Sequence, residues 1–100
     1  MSTPRLLIHA PTANSLKRGQ ANLRNLLKQM PDVEVELVVN GPAAADAVTI
    51  SDADILAHLV LCGNSLNKQG LQAQPGGRVV PAAIGYLLER QQAGWSYVRA

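Results

Sequence analysis

Five short apolar runs alternate with stretches of helical periodicity along this chain, and that alternation narrows the fold more than any other feature. Leu6-Leu7-Ile8-His9-Ala10 is apolar but for one histidine and stops at Pro11. Val33 to Val39 begins as strict alternation with Glu34 and Glu36, ends as a continuous apolar run, and breaks at Asn40-Gly41-Pro42. Leu56 to Cys62, Arg78-Val79-Val80 and Trp95-Ser96-Tyr97-Val98 complete the set. Runs this short and continuous fit strands buried on both faces, the signature of a parallel sheet.

The segments between them supply the crossovers that parallel strands require. Asn14 to Met30 places Leu16, Leu23, Leu26, Leu27 and Met30 at helical spacing, with Lys17, Arg24 and Lys28 on the opposite side and Pro31 as the stop. From Ala43 to Asp54 the pattern is weak: Ala43 to Ala47 suits a short helix, and Ser51-Asp52-Ala53-Asp54 reads as a capping box opening another turn. Ser65 to Gln69 is a short helix closed by Gly70. Gln72 to Gly77 is a loop, and Ala82 to Gln92 is a helix with Ile84, Leu87 and Leu88 expected inward. The order β-α-β-(α)-β-α-β-α-β argues for an α/β protein with helices on the faces of its sheet.

With 100 residues the chain is one domain, 1–100, with one modest core. That core must be aliphatic, because 47% of residues are hydrophobic but only 3% are aromatic and there is no phenylalanine. A formal charge of +2 makes no case for nucleic acid or a membrane surface. The basic row of the first helix reads as a solvated face. One cysteine excludes an intrachain disulfide and suits a reducing, cytoplasmic setting. The opening segment is too short for a signal peptide or a membrane span.

In an open α/β sheet, sites lie outside the carboxyl ends of the strands. Three places meet that rule: His9 to Thr12, Asn40 to Pro42, and Cys62 to Ser65. Cys62 closes an apolar strand where the chain turns into a helix, so unpaired helix N–H groups and the helix dipole favour its thiolate. Gly63 makes the turn, and Asn64 or Ser65 caps the helix. This reading expects Cys62 to be partly exposed. The bland alternative is a small buried hydrophobe. No G-x-G-x-x-G, P-loop, C-x-x-C or nucleophile elbow is present, and two histidines with one cysteine make no zinc site, so neither a cofactor nor a metal is expected. Cys62 is the candidate nucleophile, and His9, Asn40, Gly41, Gly63, Asn64 and Ser65 are the candidate ligand-binding residues around it. His9 serves either as a base or ligand-orienting group, or as a histidine satisfied by the backbone. His58 falls mid-strand, as a buried or partner-facing side chain.

Several of these stretches together resemble the small, soluble DsrE/YchN-like branch of the DsrE-type sulfur-relay family. The likeness runs through Leu6 to Thr12, Ala21 to Leu27, Val33 to Pro42, Cys62-Gly63-Asn64-Ser65-Leu66 and Val79 to Ala83, in order and over nearly the whole chain. Its most specific pieces are Val39-Asn40-Gly41-Pro42 and Cys62 to Leu66. The resemblance implies a three-layer α/β/α sandwich with a five-stranded, mainly parallel sheet, assembled as trimers or hexamers. It also implies that a cysteine at the place of Cys62, in the spacing C-x-x-x-L-x-x-x-G formed with Leu66 and Gly70, carries sulfur as a persulfide between donor and acceptor proteins. The segment between Pro42 and Leu56 is shorter than the family pattern, which predicts a stunted second helix. Three functions stay open: a sulfurtransferase or sulfur carrier using Cys62, a non-catalytic oligomeric module binding a small ligand or a partner with Cys62 structural, and a redox sensor. Self-association has independent support in the aliphatic composition, the need to cover sheet edges, and Trp95 and Tyr97 on one face of the last strand.

Overall fold

The computed structural model describes residues 3–100. The elements follow the predicted order: β1 (Arg5–Ala10), α1 (Ala13–Gln29), β2 (Glu34–Val39), α2 (Ala44–Ala47), α3 (Ala53–Leu56), β3 (Leu59–Cys62), α4 (Gly63–Gln69), β4 (Arg78–Val80), α5 (Ala83–Gln92) and β5 (Ser96–Arg99). A 3-10 turn at Gly41–Ala43 leads into α2. The five strands form one sheet in the order β4-β3-β2-β1-β5. All four pairings are parallel, so the sheet is wholly rather than mainly parallel.

The alternation of side chains along the strands divides the core in two. On one face Ile8, Ala10, Val35, Leu37, Val39, Leu59 and Leu61 pack under α1, α2, α3 and α4, which contribute Leu16, Leu23, Ala44, Ala47, Ile55 and Leu66. On the other, Leu7, Val38, Val60, Cys62 and Val80 pack under α5, through Ala83 and Leu87. This is a three-layer α/β/α sandwich whose third layer is a single helix. The topology explains the imbalance. The chain steps from β1 to β4 across the sheet with its helices on one face. Its return from β4 to β5, at the far edge, goes under the other face, as right-handed crossovers demand.

Three sequence expectations are corrected. Leu56 ends α3, and β3 begins only at Leu59, because Asp52 rather than Ser51 caps α3 by accepting from the Asp54 N–H. His58 therefore lies in the turn before β3, where its Nδ1 meets the Val35 carbonyl at 2.9 Å. On α5, Ala83 and Leu87 point inward, whereas Ile84 is 78% exposed and Leu88 57% exposed. The stunted second helix is present as the two four-residue pieces α2 and α3.

The lone helix of the second face is tied down by a charged group. Glu36, on central strand β2, points into that layer with only 12% of its side chain exposed. Tyr86 donates its hydroxyl to the carboxylate at 2.6 Å, and Arg90 and Arg78 pair with it at 3.3 and 3.0 Å. Arg90 also covers the rings of Tyr86 and Trp95, each centroid 5.0 Å away. Arg5 also lies over the Trp95 ring, 5.9 Å from its centroid, and donates to the Ala93 carbonyl at the end of α5. Burial, together with the Glu36 carboxylate, holds the Tyr86 phenol above its ordinary range.

Removing Glu36 leaves Arg90 and Tyr86 half-buried without their acceptor. Glu36→Ala is expected to cost about 2 kcal/mol. Denaturant unfolding measures it, and a loss under about 0.5 kcal/mol, typical of an exposed pair, contradicts a structural role for this carboxylate.

Candidate functional site

The carboxyl edge of the sheet gathers the three places that the strand-end rule selects. His9 near the end of β1, Asn40 after β2, and Cys62 at the end of β3 share one face of the sheet, as the parallel register requires. His9 Nε2 lies 2.9 Å from Asn40 Oδ1, and its Nδ1 lies 2.7 Å from the Tyr97 hydroxyl. Since the Asn40 oxygen accepts, Nε2 carries the proton and Nδ1 accepts from Tyr97. His9 is thus held by two side chains rather than by the backbone. Tyr97, which the sequence marks only as an aromatic of the last strand suited to an interface, is thereby a member of the site. Its place opposite Leu7 in β5 is set by strand pairing, which no local pattern reveals.

Gly41 adopts φ +59°, a conformation that favours glycine, and a Cβ there would meet the Pro11 carbonyl oxygen at 3.2 Å. Its peptide is gripped from α4: its N–H donates to Ser65 Oγ at 2.8 Å, and its carbonyl accepts from Gln69 Nε2 at 2.9 Å. Ser65 and Gln69 stand one helical turn apart, so a single face of α4 holds the loop that follows β2. Asn40, Gly41 and Ser65 are thereby joined at one edge, with Gln69 as an unforeseen member, and Cys62 ends β3 beside them.

Cys62 itself departs from expectation. It is 5% exposed, covered by the corner between β4 and α5. The corner sits close because residue 63 is glycine: a Cβ on Gly63 would lie 2.9 Å from the Val80 carbonyl oxygen and 3.2 Å from that of Pro81. Helix α4 starts at Gly63, two residues sooner than predicted, so Cys62 is its N-cap, and neither Asn64 nor Ser65 occupies that position. The Asn64 N–H donates to the Pro81 carbonyl at 3.2 Å, fastening the corner further.

Burial nonetheless leaves the thiol well served by donors. The Ala83 N–H, at the first residue of α5, donates to Cys62 Sγ at 3.3 Å. Burial pushes the thiol up, but hydrogen bonds from the Ser65 hydroxyl and from the backbone N–H groups of Ala83, Ser65 and Asn64 outweigh it, and the thiol sits below its ordinary range. The sulfur thus lies where the starts of α4 and α5 converge. The sequence reveals the first of these. The second is brought in by tertiary packing, and its local sign is the small-residue opening Ala82-Ala83 after Pro81. Among the described residues no group of three or more His, Cys, Asp or Glu side chains is placed to hold a metal ion. Among them, too, no helix is long and apolar enough to cross a membrane.

Fold and site together define an α/β sandwich with a donor-rich thiol at the carboxyl edge of a parallel sheet. No family model matches the chain, and no curated protein does. Among solved structures it is similar to a protein of unknown function, MTH1491, from Methanobacterium thermoautotrophicum, with a TM-score of 0.83, 22% identity, and coverage of 97% of this chain and 99% of that one. At that identity the likeness shows the fold alone.

The geometry sets two expectations for thiol chemistry. Alkylation of Cys62 by a small reagent reaches half its maximal rate below the pH of about 8.5 usual for a free cysteine. A bulky disulfide reagent reacts much more slowly than the small one, because the β4–α5 corner covers the sulfur. Rates for the two reagents across pH check both, and equal rates contradict the burial.

Proposed function

We propose that the protein is an intracellular sulfur carrier of the DsrE type, holding sulfane sulfur as a persulfide on Cys62. One observation carries this reading: the chain's one thiol lies at the carboxyl edge of a parallel sheet among donors that favour its thiolate. In the step proposed, the Cys62 thiolate attacks the outer sulfur of a donor protein's persulfide. A new sulfur–sulfur bond forms at Cys62, the donor's breaks, and the donor leaves as its thiolate. The outer sulfur then passes by the same exchange to an acceptor thiolate. His9, Asn40, Gly41, Gly63, Asn64 and Ser65 shape the surroundings of the sulfur. The likeness of Cys62 to Leu66 and of Val39 to Pro42 to the sulfur-relay family supports the same reading.

A second reading has one observation in its favour. Cys62 is 5% exposed and packs with Val60, Val80 and Ala83, as a structural cysteine does in a non-catalytic module that binds a small ligand or partner at the strand ends. Incubation with a sulfane-sulfur donor followed by intact-protein mass spectrometry separates the two. The carrier gains the mass of a sulfur atom, and Cys62→Ser, which keeps nearly the same volume, gains none and folds normally. No gain by the parent protein, or an equal gain by the serine variant, overturns the carrier reading.

Self-association belongs to the same proposal. Ile84 and Leu88 form an apolar stripe on the outer side of α5, and Val79 and Val98 are about half exposed on the two edge strands. Surfaces of this kind are covered in assemblies. A trimer or a pair of trimers is expected by light scattering, and replacing both Ile84 and Leu88 by Glu is expected to lower the mass without unfolding the chain. A monomer mass for the parent protein across micromolar concentrations contradicts it.

A further inference from the structure

We propose that α5 is a lid over Cys62, latched to the sheet by Glu36 and pivoting at its far end, and that the thiol meets a partner's sulfur only with the lid raised. The inference takes Cys62 as the working group of the site and so rests on the sulfur-carrier proposal, but it concerns access to the thiol and not the fate of any sulfur.

Sulfur exchange makes a geometric demand that the closed structure does not meet. A thiolate exchanges by direct attack on another sulfur, so the two atoms have to touch. Cys62 is 5% exposed and packs with Val80 and Ala83, and the Ala83 N–H sits 3.3 Å from its sulfur. A second protein reaches that atom only if part of the cover moves. Of the covering elements, α5 has the least apolar hold. It buries two side chains, Ala83 and Leu87, while Ile84 and Leu88 face outward. An element with few buried apolar contacts opens at a free energy below that of global unfolding.

The two ends of this helix are held differently. At the far end Arg5 donates to the Ala93 carbonyl at 2.7 Å, and Gly94 follows at φ +99°. That is an anchored point beside a residue that tolerates large backbone rotations, which is what a pivot requires. At the near end the corner is fastened by single hydrogen bonds: Ala83 N–H to Cys62 Sγ, and Asn64 N–H to the Pro81 carbonyl at 3.2 Å. The latch stands between. Glu36 accepts from the Tyr86 hydroxyl at 2.6 Å and pairs with Arg90 at 3.3 Å, both on α5. It also pairs at 3.0 Å with Arg78, at the start of β4. One carboxylate thus holds the helix and the strand that leads into it. Raising the helix gives Glu36, Tyr86 and Arg90 back to water, so the open state strands no charge in an apolar setting.

Reaction of Cys62 with dithiodipyridine reads the lid and needs no sulfur donor. The reagent is a neutral aromatic disulfide, so a change of charge at Glu36 does not draw it in. Rates are taken at alkaline pH, where the thiol is ionised in every variant, and divided by the rate of the same chain unfolded in urea. Glu36→Gln keeps the shape and removes the charge, and is expected to raise the normalised rate about tenfold, the effect of losing a charge-assisted hold. Tyr86→Phe is expected to raise it too, and serves if Glu36→Gln does not fold. Ile8→Val weakens the core of the opposite face and is expected to leave the rate unchanged. Below the unfolding transition the parent rate is expected to stay nearly flat with added urea, because raising one helix exposes little surface. Each rate is also measured in the chain with Ile84 and Leu88 replaced by Glu, which has no neighbour on that stripe to hold the helix from outside.

A parent rate that climbs with the full urea slope of global unfolding overturns the lid. So does a rise in Ile8→Val equal to that in Glu36→Gln, and so do Glu36→Gln and Tyr86→Phe rates equal to the parent's in both backgrounds. A protein that gains no sulfur but shows the expected rates rejects the carrier role and keeps the lid, and the reverse result rejects the lid alone.

Discussion

The contact between Glu36 and α5 is the interaction on which the second half of this structure closes. A parallel sheet needs cover on both faces, and in this fold four of the five helices lie on one of them. The other is left to ten residues, Ala83–Gln92, with Ala83 and Leu87 as their buried side chains. Two such side chains are a thin apolar seam for a whole layer. Tyr86, Arg90 and Arg78 converge on a carboxylate from the central strand and supply the rest of the hold. A charged group at such a place is a weak source of net stability compared with good apolar packing, but losing either partner is costly. It also sets where along the sheet the helix lies.

That placement is what brings chemistry to Cys62. The start of α5 reaches the sulfur because the body of the helix is pinned to β2. The start of α4 reaches it through chain continuity. The two supports differ in kind: one is dictated by neighbouring residues, the other by an ion cluster at the opposite end of a helix. The thiol's environment is therefore a tertiary property, and a lesion far from the sulfur reaches it through the tilt of α5.

This division also governs how much the sequence discloses. Strand order aside, the elements are legible, because buried parallel strands read as apolar runs and the turn residues Pro11, Gly41, Gly70 and Pro81 punctuate them. The boundary between α3 and β3 is not, since Ile55 and Leu56 look the same ahead of a strand as at its start. The inward side of α5 is misread from sequence because Ala83 with Leu87 and Ile84 with Leu88 form two stripes of equal period, and the larger side chains look more like core. The edge residues His9, Asn40, Gly41 and Ser65 are placed correctly by the strand-end rule. Their bonds to Tyr97 and Gln69 depend on pairing and helix rotation, and the exposure of Cys62 depends on Val80 and Ala83, which arrive much later in the chain.

The pairing of β1 with β5 has a consequence for folding. Strand β1 is the first of the five described strands along the chain and β5 the last, yet they are neighbours, and the Ala100 N–H bonds to the His9 carbonyl while Ser15 donates to the Ala100 carbonyl. Joining residues so distant in sequence carries a large loop-closure cost, which slows folding more than it weakens the final state. Before β5 joins, β1 through β4 can pair among themselves, leaving open the edge of β1 that β5 covers and the outer edge of β4. Until Ser96–Arg99 pairs, the β1 edge is an open ladder beside His9, and the helix that must cross beneath it has nowhere to end. A folding intermediate that lacks β5 thus exposes a ladder at the strand that carries part of the site.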